Sequence, residues 1–152
     1  MFAITFDMVI SDLEKYYGSP YHSAYTEIRK VLADCGFYWI QGSVYVTNEE
    51  NLYVVTKAMN ALDAISWFRK SVRDIRAFEI KNMTTINETV HKPMFKLGEE
   101  VLIAPQVTNE KEWLKGIVID IEDNPFVGFV ITAKTKELGE FFDKEYLFKK
   151  LN

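Results

Sequence analysis

The sequence predicts an α+β ferredoxin-like (βαββαβ) domain over residues 1–93, followed by a small all-β SH3-like barrel over residues 94–152. Two observations predict this. In the first part the hydrophobic period switches between two and about 3.6 in the order strand, helix, strand, strand, helix, strand. After residue 93 only short strand-like runs remain, separated by Asn, Asp, Gly and Pro signals. Charge changes across the same boundary. Residues 1–93 hold 10 Lys+Arg against 11 Asp+Glu, net −1, and all four arginines of the chain; residues 94–152 hold 8 against 11, net −3.

Phe2, Ile4 and Phe6 alternate with Ala3, Thr5 and Asp7, which reads as a half-buried strand. Ser19-Pro20 reads as an N-cap followed by proline at the first helical position. Tyr21, Ala24, Tyr25, Ile28, Val31, Leu32 and Cys35 then form one apolar helical face, closed by Gly36 as a left-handed stop. Phe37–Ile40 and Ser43–Thr47 read as strands joined through a turn or bulge at Gln41-Gly42. Asn48, with Glu49 and Glu50 behind it, is expected to cap a second helix with the core stripe Leu52, Val55, Met59, Leu62 and Ile65. Val72–Ile80 completes the sheet. Asn82–Pro93 reads as a short helix and linker. Beyond it, strands are expected at Val101–Ile103, Gly116–Ile121, Phe126–Thr132 and Glu140–Asp143, with a helical turn over Lys144–Phe148. A barrel of this size is near the lower limit for a self-sufficient core.

Of the 152 residues, 48% are hydrophobic and 26% charged, the composition of a globular protein. The single cysteine, Cys35, excludes an internal disulfide and fits a reducing, cytoplasmic setting; at the end of an apolar stripe it reads as a buried small hydrophobe. No signal peptide and no membrane-spanning run is expected. A net charge of −4 argues against general nucleic-acid coating. However, Arg69, Arg73 and Arg76 fall within eight residues, and arginine suits forked phosphate contacts, so a local cationic edge is expected on an acidic chain.

Three separated blocks resemble the virulence-associated protein D family. They are Phe2-Ala3-Ile4-Thr5-Phe6-Asp7, Gly36-Phe37 leading into Gln41-Gly42-Ser43-Val44-Tyr45, and the run from Trp67 to Phe78 (Trp-Phe-Arg-Lys-Ser-Val-Arg-Asp-Ile-Arg-Ala-Phe). The resemblance covers residues 1–93. It implies a ferredoxin-like fold shared with the small nuclease-like protein of CRISPR spacer acquisition, a homodimer, and RNA cleavage of the kind attributed to toxins of toxin–antitoxin pairs. It also implies that first strands of two protomers approach each other, bringing two Asp7 side chains to one cleft.

The chemistry open to the chain agrees with that expectation. Only His22 and His91 are available as imidazoles, so catalysis by a histidine pair is not expected, and carboxylates, hydroxyls and arginines remain. Asp7 is the expected catalytic residue, sharing a proton or holding a divalent cation such as Mg²⁺; by itself it also reads as a strand-end Asp capping the following loop. Ser43 either orients a phosphate or is a turn serine bonding its own backbone. Asp74 is either a second catalytic carboxylate or part of a salt-bridged surface. Gln41 and Tyr45 are candidates for contact with a base, although Tyr45 also reads as core. Arg69, Lys70, Arg73 and Arg76 are the candidates for phosphate contacts. Trp39, Trp67 and Phe78 read as core or dimer contacts.

Met94 to Val101 reads like the start of an independent protein. The family's inhibitory partners are small separate proteins, so the acidic, arginine-free second part resembles an antitoxin fused in place. There Glu99, Glu100, Glu110, Glu112, Glu122 and Asp123 would compete with RNA phosphates for the arginine edge, in cis or across chains. Against the endoribonuclease stands a second class, a non-catalytic nucleic-acid-binding or scaffold homodimer, because fold does not settle chemistry.

Overall fold

The computed structural model of the protein describes residues 1–83 and 92–151. The chain divides into two compact units, Met1–Thr84 and Thr85–Asn152. The expected helix and linker over 82–93 fall mostly outside the described residues, as does His91.

Among the described residues the first unit has four strands and four helices. These are β1 (Phe2–Met8), α1 (Ile10–Tyr16), α2 (Ser23–Asp34), β2 (Tyr38–Gln41), β3 (Val44–Thr47), α3 (Tyr53–Asp63), α4 (Ser66–Ser71) and β4 (Val72–Glu79). The sheet order is β2-β3-β1-β4 with antiparallel neighbours throughout, the arrangement of a ferredoxin-like sheet. One face of β1 is apolar because Phe2, Ile4 and Phe6 alternate along it, and all three are buried. Phe6 stacks on Tyr45 at 6.0 Å and meets Phe68 of α4 edge-on at 5.6 Å. The other face carries Thr5 and Asp7, with Asp7 exposed.

Two short helices were not legible as such. The α1 helix packs on α4, and their backbones meet where the Val9 N–H donates to the Ser71 carbonyl at 2.8 Å. The expected helix starts also move. The Ser19-Pro20 bond is cis and lies outside α2, whose N-cap is His22. Asn48 does not cap α3; the Asn51 side chain instead accepts the Tyr53 N–H at 2.9 Å, and Leu52 is exposed. The buried stripe of α3 is therefore Val55, Ala58 and Leu62. Gly36, at φ +87°, follows the C-cap of α2 in the left-handed region that favours glycine.

The second unit contains β5 (Glu100–Ile103), α5 (Pro105–Thr108), β6 (Leu114–Asn124), β7 (Gly128–Lys134), β8 (Glu140–Lys144), a 3₁₀ turn over Glu145–Leu147 and β9 (Phe148–Lys150). Its strands run β8-β7-β6-β5-β9 in one antiparallel sheet around Phe95, Val101, Ile103, Val118, Ile131, Ala133, Phe141 and Phe148. The expectation of a closed barrel is corrected here. Among the described residues β8 pairs only with β7 and β9 only with β5, so the sheet stays open between its edges.

Candidate active site

The charged residues singled out in the sequence gather at one end of the first sheet. In the β1–β4 ladder Asp7 lies directly opposite Asp74, and Thr5 opposite Arg76. Directly opposed side chains project from the same face, and two facing carboxylates repel. Arginines offset that repulsion. The Arg73 Nε–H and an Nη2–H donate to the same Asp7 oxygen, Oδ2, at 2.9 and 2.8 Å. The Arg76 Nε–H donates to Asp74 Oδ2 at 2.8 Å. These four side chains stay more than half exposed, so each pair contributes only up to about 1 kcal/mol to stability. Their positions serve a surface rather than a core. A guanidinium carries five N–H groups, so Arg73 keeps donors for a phosphate while it holds Asp7.

The Gln41–Ser43 turn flanks the other side of β1. The Phe6 N–H donates to the Ser43 carbonyl at 3.3 Å, and Thr5 pairs with Val44. The turn is held by the buried Trp39, whose indole N–H donates to the Gly42 carbonyl at 2.8 Å, and Gly42 has φ +48°. Gln41 is exposed and Ser43 half-buried beside the end of β1.

Tyr45 is corrected. At 1% exposed it belongs to the core, stacked on Phe6 and opposite Ile4 and Trp39 in the sheet, and it presents no ring surface to a base. Arg29 is also buried, so three of the four arginines form the cationic edge. Arg69 and Lys70 are exposed on α4, just before Arg73. Trp67 packs edge-on against Tyr17 at 4.9 Å, and Phe78 is about half exposed on β4.

Sequence reading gave Tyr16, Tyr21 and Tyr25 no part in a site, placing Tyr21 and Tyr25 only on a packed helical face. Tyr21 lies 4.3 Å from the His22 ring and 6.4 Å from Tyr25. Burial, then the neighbouring Tyr21 and the negative charge of Asp7, push the Tyr25 phenol up from its ordinary pKa. The aromatic density of residues 16–25 was the available signal. Burial likewise raises the Cys35 thiol, the expected behaviour of an inert buried cysteine.

Among the described residues no three His, Cys, Asp or Glu side chains converge, and a cation at Asp7 would compete with the guanidinium already on Oδ2. Of the acidic residues of the second unit, Glu110 and Glu112 precede β6, whereas Glu122 and Asp123 lie near its other end. Among the described residues no helix is long and apolar enough to cross a membrane.

Comparison with known proteins bears on the first unit. The family described as CRISPR associated protein Cas2 matches residues 1–85. Endoribonuclease VapD of Dichelobacter nodosus is 49% identical over 90 residues, covering 59% of this chain and 97% of that protein. Endoribonuclease VapD of Helicobacter pylori is 49% identical over 92 residues, covering 59% and 98%. Endoribonuclease VapD 1 of Riemerella anatipestifer is 45% identical over 85 residues, covering 56% and 96%. These relatives are matched nearly end to end by the unit that carries Asp7, Arg73, Asp74 and Arg76. Through that unit the chain belongs to the Cas2 family, alongside the VapD proteins.

Proposed function

We propose that the first unit is an endoribonuclease whose proton acceptor is Asp7, with Arg73 and Arg76 binding the phosphate under attack. The observation that carries this is the Asp7–Arg73 pair beside Asp74–Arg76 on an open sheet face. An exposed carboxylate can accept the proton of an attacking hydroxyl, and adjacent guanidinium groups can stabilise charge developing on the phosphate oxygens. The name endoribonuclease borne by relatives of almost the same length as this unit supports the reading. Asp74 holds Arg76 in place, and the Gln41–Ser43 turn lines the strand path. Homodimerisation would bring two such ends together and supply a second carboxylate pair. Mg²⁺ enters this reading only if that assembly provides ligands from both chains; cleavage that survives chelation would remove it.

The reading extends to a cytoplasmic toxin of a toxin–antitoxin pair restrained by its own second unit. That unit is a five-stranded antiparallel sheet with a 3₁₀ turn before the last strand, and it carries no arginine. Cleavage of RNA by residues 1–93 and by the full chain, each beside its Asp7→Asn form, tests both parts. Cutting by the short form and silence of the full chain is the expected result. Equal Asp7-dependent cutting discards the restraint. If Asp7→Asn cuts as well as the parent, catalysis by Asp7 is wrong and a non-catalytic RNA-binding dimer takes its place.

A further inference from the structure

Tyr16 closes α1 and is 41% exposed. Two ammonium groups attend its ring: Lys15 Nζ lies 5.1 Å from the centroid and Lys70 Nζ 5.4 Å. Lys70 comes from α4, so the pairing joins two helices. Both helices lead directly to the charged end of the sheet. The α1 helix starts three residues after Asp7 and is about 10 Å long at roughly 1.5 Å per residue. Lys70 precedes by three residues the Arg73 that holds Asp7. The Tyr17–Trp67 contact at 4.9 Å and the Val9–Ser71 hydrogen bond fix α1 against α4 at both ends, so Tyr16 sits on a rigid surface.

We propose that Tyr16, with Lys15 and Lys70, is a base-stacking site for single-stranded RNA a short distance along the strand from the scissile phosphate. This rests on the endoribonuclease reading and adds the group that holds the substrate. Magnitudes favour it. An exposed cation–π contact is worth about 0.5–1 kcal/mol, whereas stacking of a base on an aromatic ring is worth about 1–3 kcal/mol. A base therefore displaces a lysine from the ring, and the released ammonium is left beside the phosphate that follows. An exposed aromatic surrounded by cations is the arrangement that binds single strands without reading sequence.

The test uses residues 1–93, the part that the separately standing VapD relatives match nearly end to end, and a fluorescent single-stranded RNA of mixed sequence, with binding read in the Asp7→Asn background and cleavage in the Asp7 protein. Tyr16→Ala should weaken RNA binding roughly tenfold, raise KM and leave kcat within about twofold. Tyr16→Phe should restore binding, because the ring and not the hydroxyl stacks. An oligomer of abasic sugar-phosphate should bind Tyr16→Ala and the parent equally, because it has no base to stack. Unchanged RNA binding by Tyr16→Ala, failure of Tyr16→Phe to rescue, or an equal loss with the abasic oligomer would overturn the stacking site while leaving the nuclease intact. Absence of both RNA binding and cleavage by residues 1–93 with Asp7 intact would remove the endoribonuclease reading and this site with it.

Discussion

At the scale of single residues, location separates chemistry from stability. Asp7 is exposed and held by one arginine, so Asp7→Asn should reduce cleavage at least about a hundredfold if it is the proton acceptor. The same change should cost no more than about 1 kcal/mol in thermal or urea unfolding, because the lost pair is solvent-screened. Tyr45 is the opposite case. Its ring fills space under Phe6, and Tyr45→Ala should destabilise the first unit by about 3–5 kcal/mol. Tyr45→Phe should retain RNA affinity in a binding assay, since the ring's role is packing. A Tyr45→Phe variant that folds normally yet loses RNA would contradict that assignment.

At the scale of elements, backbone geometry explains positions that a hydrophobic pattern does not mark. Gly116 in β6 is one. A Cβ there would lie 3.0 Å from Ile103 Cδ1, 3.2 Å from Ala133 Cβ and 3.3 Å from the Lys134 carbonyl. Strands β5, β6 and β7 approach too closely for a methyl group. Gly116→Ala should therefore cost about 1–3 kcal/mol through overpacking, read as a lower midpoint in denaturant for the second unit. The helix starts of α2 and α3 teach a related lesson. Ser19-Pro20 and Asn48 have suitable chemistry, but the chain begins each helix several residues later, where the apolar stripe first meets the core. In α3 this leaves Leu52 exposed and gives Ala58 its buried place, a choice made by packing against α2 rather than by capping propensity.

At the scale of the whole molecule, each unit carries its own core and its own response to conditions. Burial pushes the Asp143 carboxyl up, and its hydrogen bond from the Lys144 N–H, at 2.7 Å, with the Lys144 charge only partly offsets this. A carboxyl whose folded pKa exceeds its unfolded value contributes stability below the unfolded pKa and loses it as pH rises through the folded pKa. The second unit should accordingly lose part of its stability as pH rises through and above the ordinary carboxylate range. Asp143→Asn should flatten that dependence in a series of thermal melts; an unchanged slope would assign it elsewhere. The strand order and the two longer helices of the first unit and the arginine-rich third block were legible in the sequence, because alternation, helical period and local charge are properties of neighbours along the chain. The facing of Asp7 and Asp74, the capture of Asp7 by Arg73, the loss of Tyr45 to the core and the cationic surround of Tyr16 were decided only by the tertiary structure. Each depends on strand register or helix packing between residues distant along the chain. A one-residue slip in register would have moved every one of the sheet residues to the opposite face.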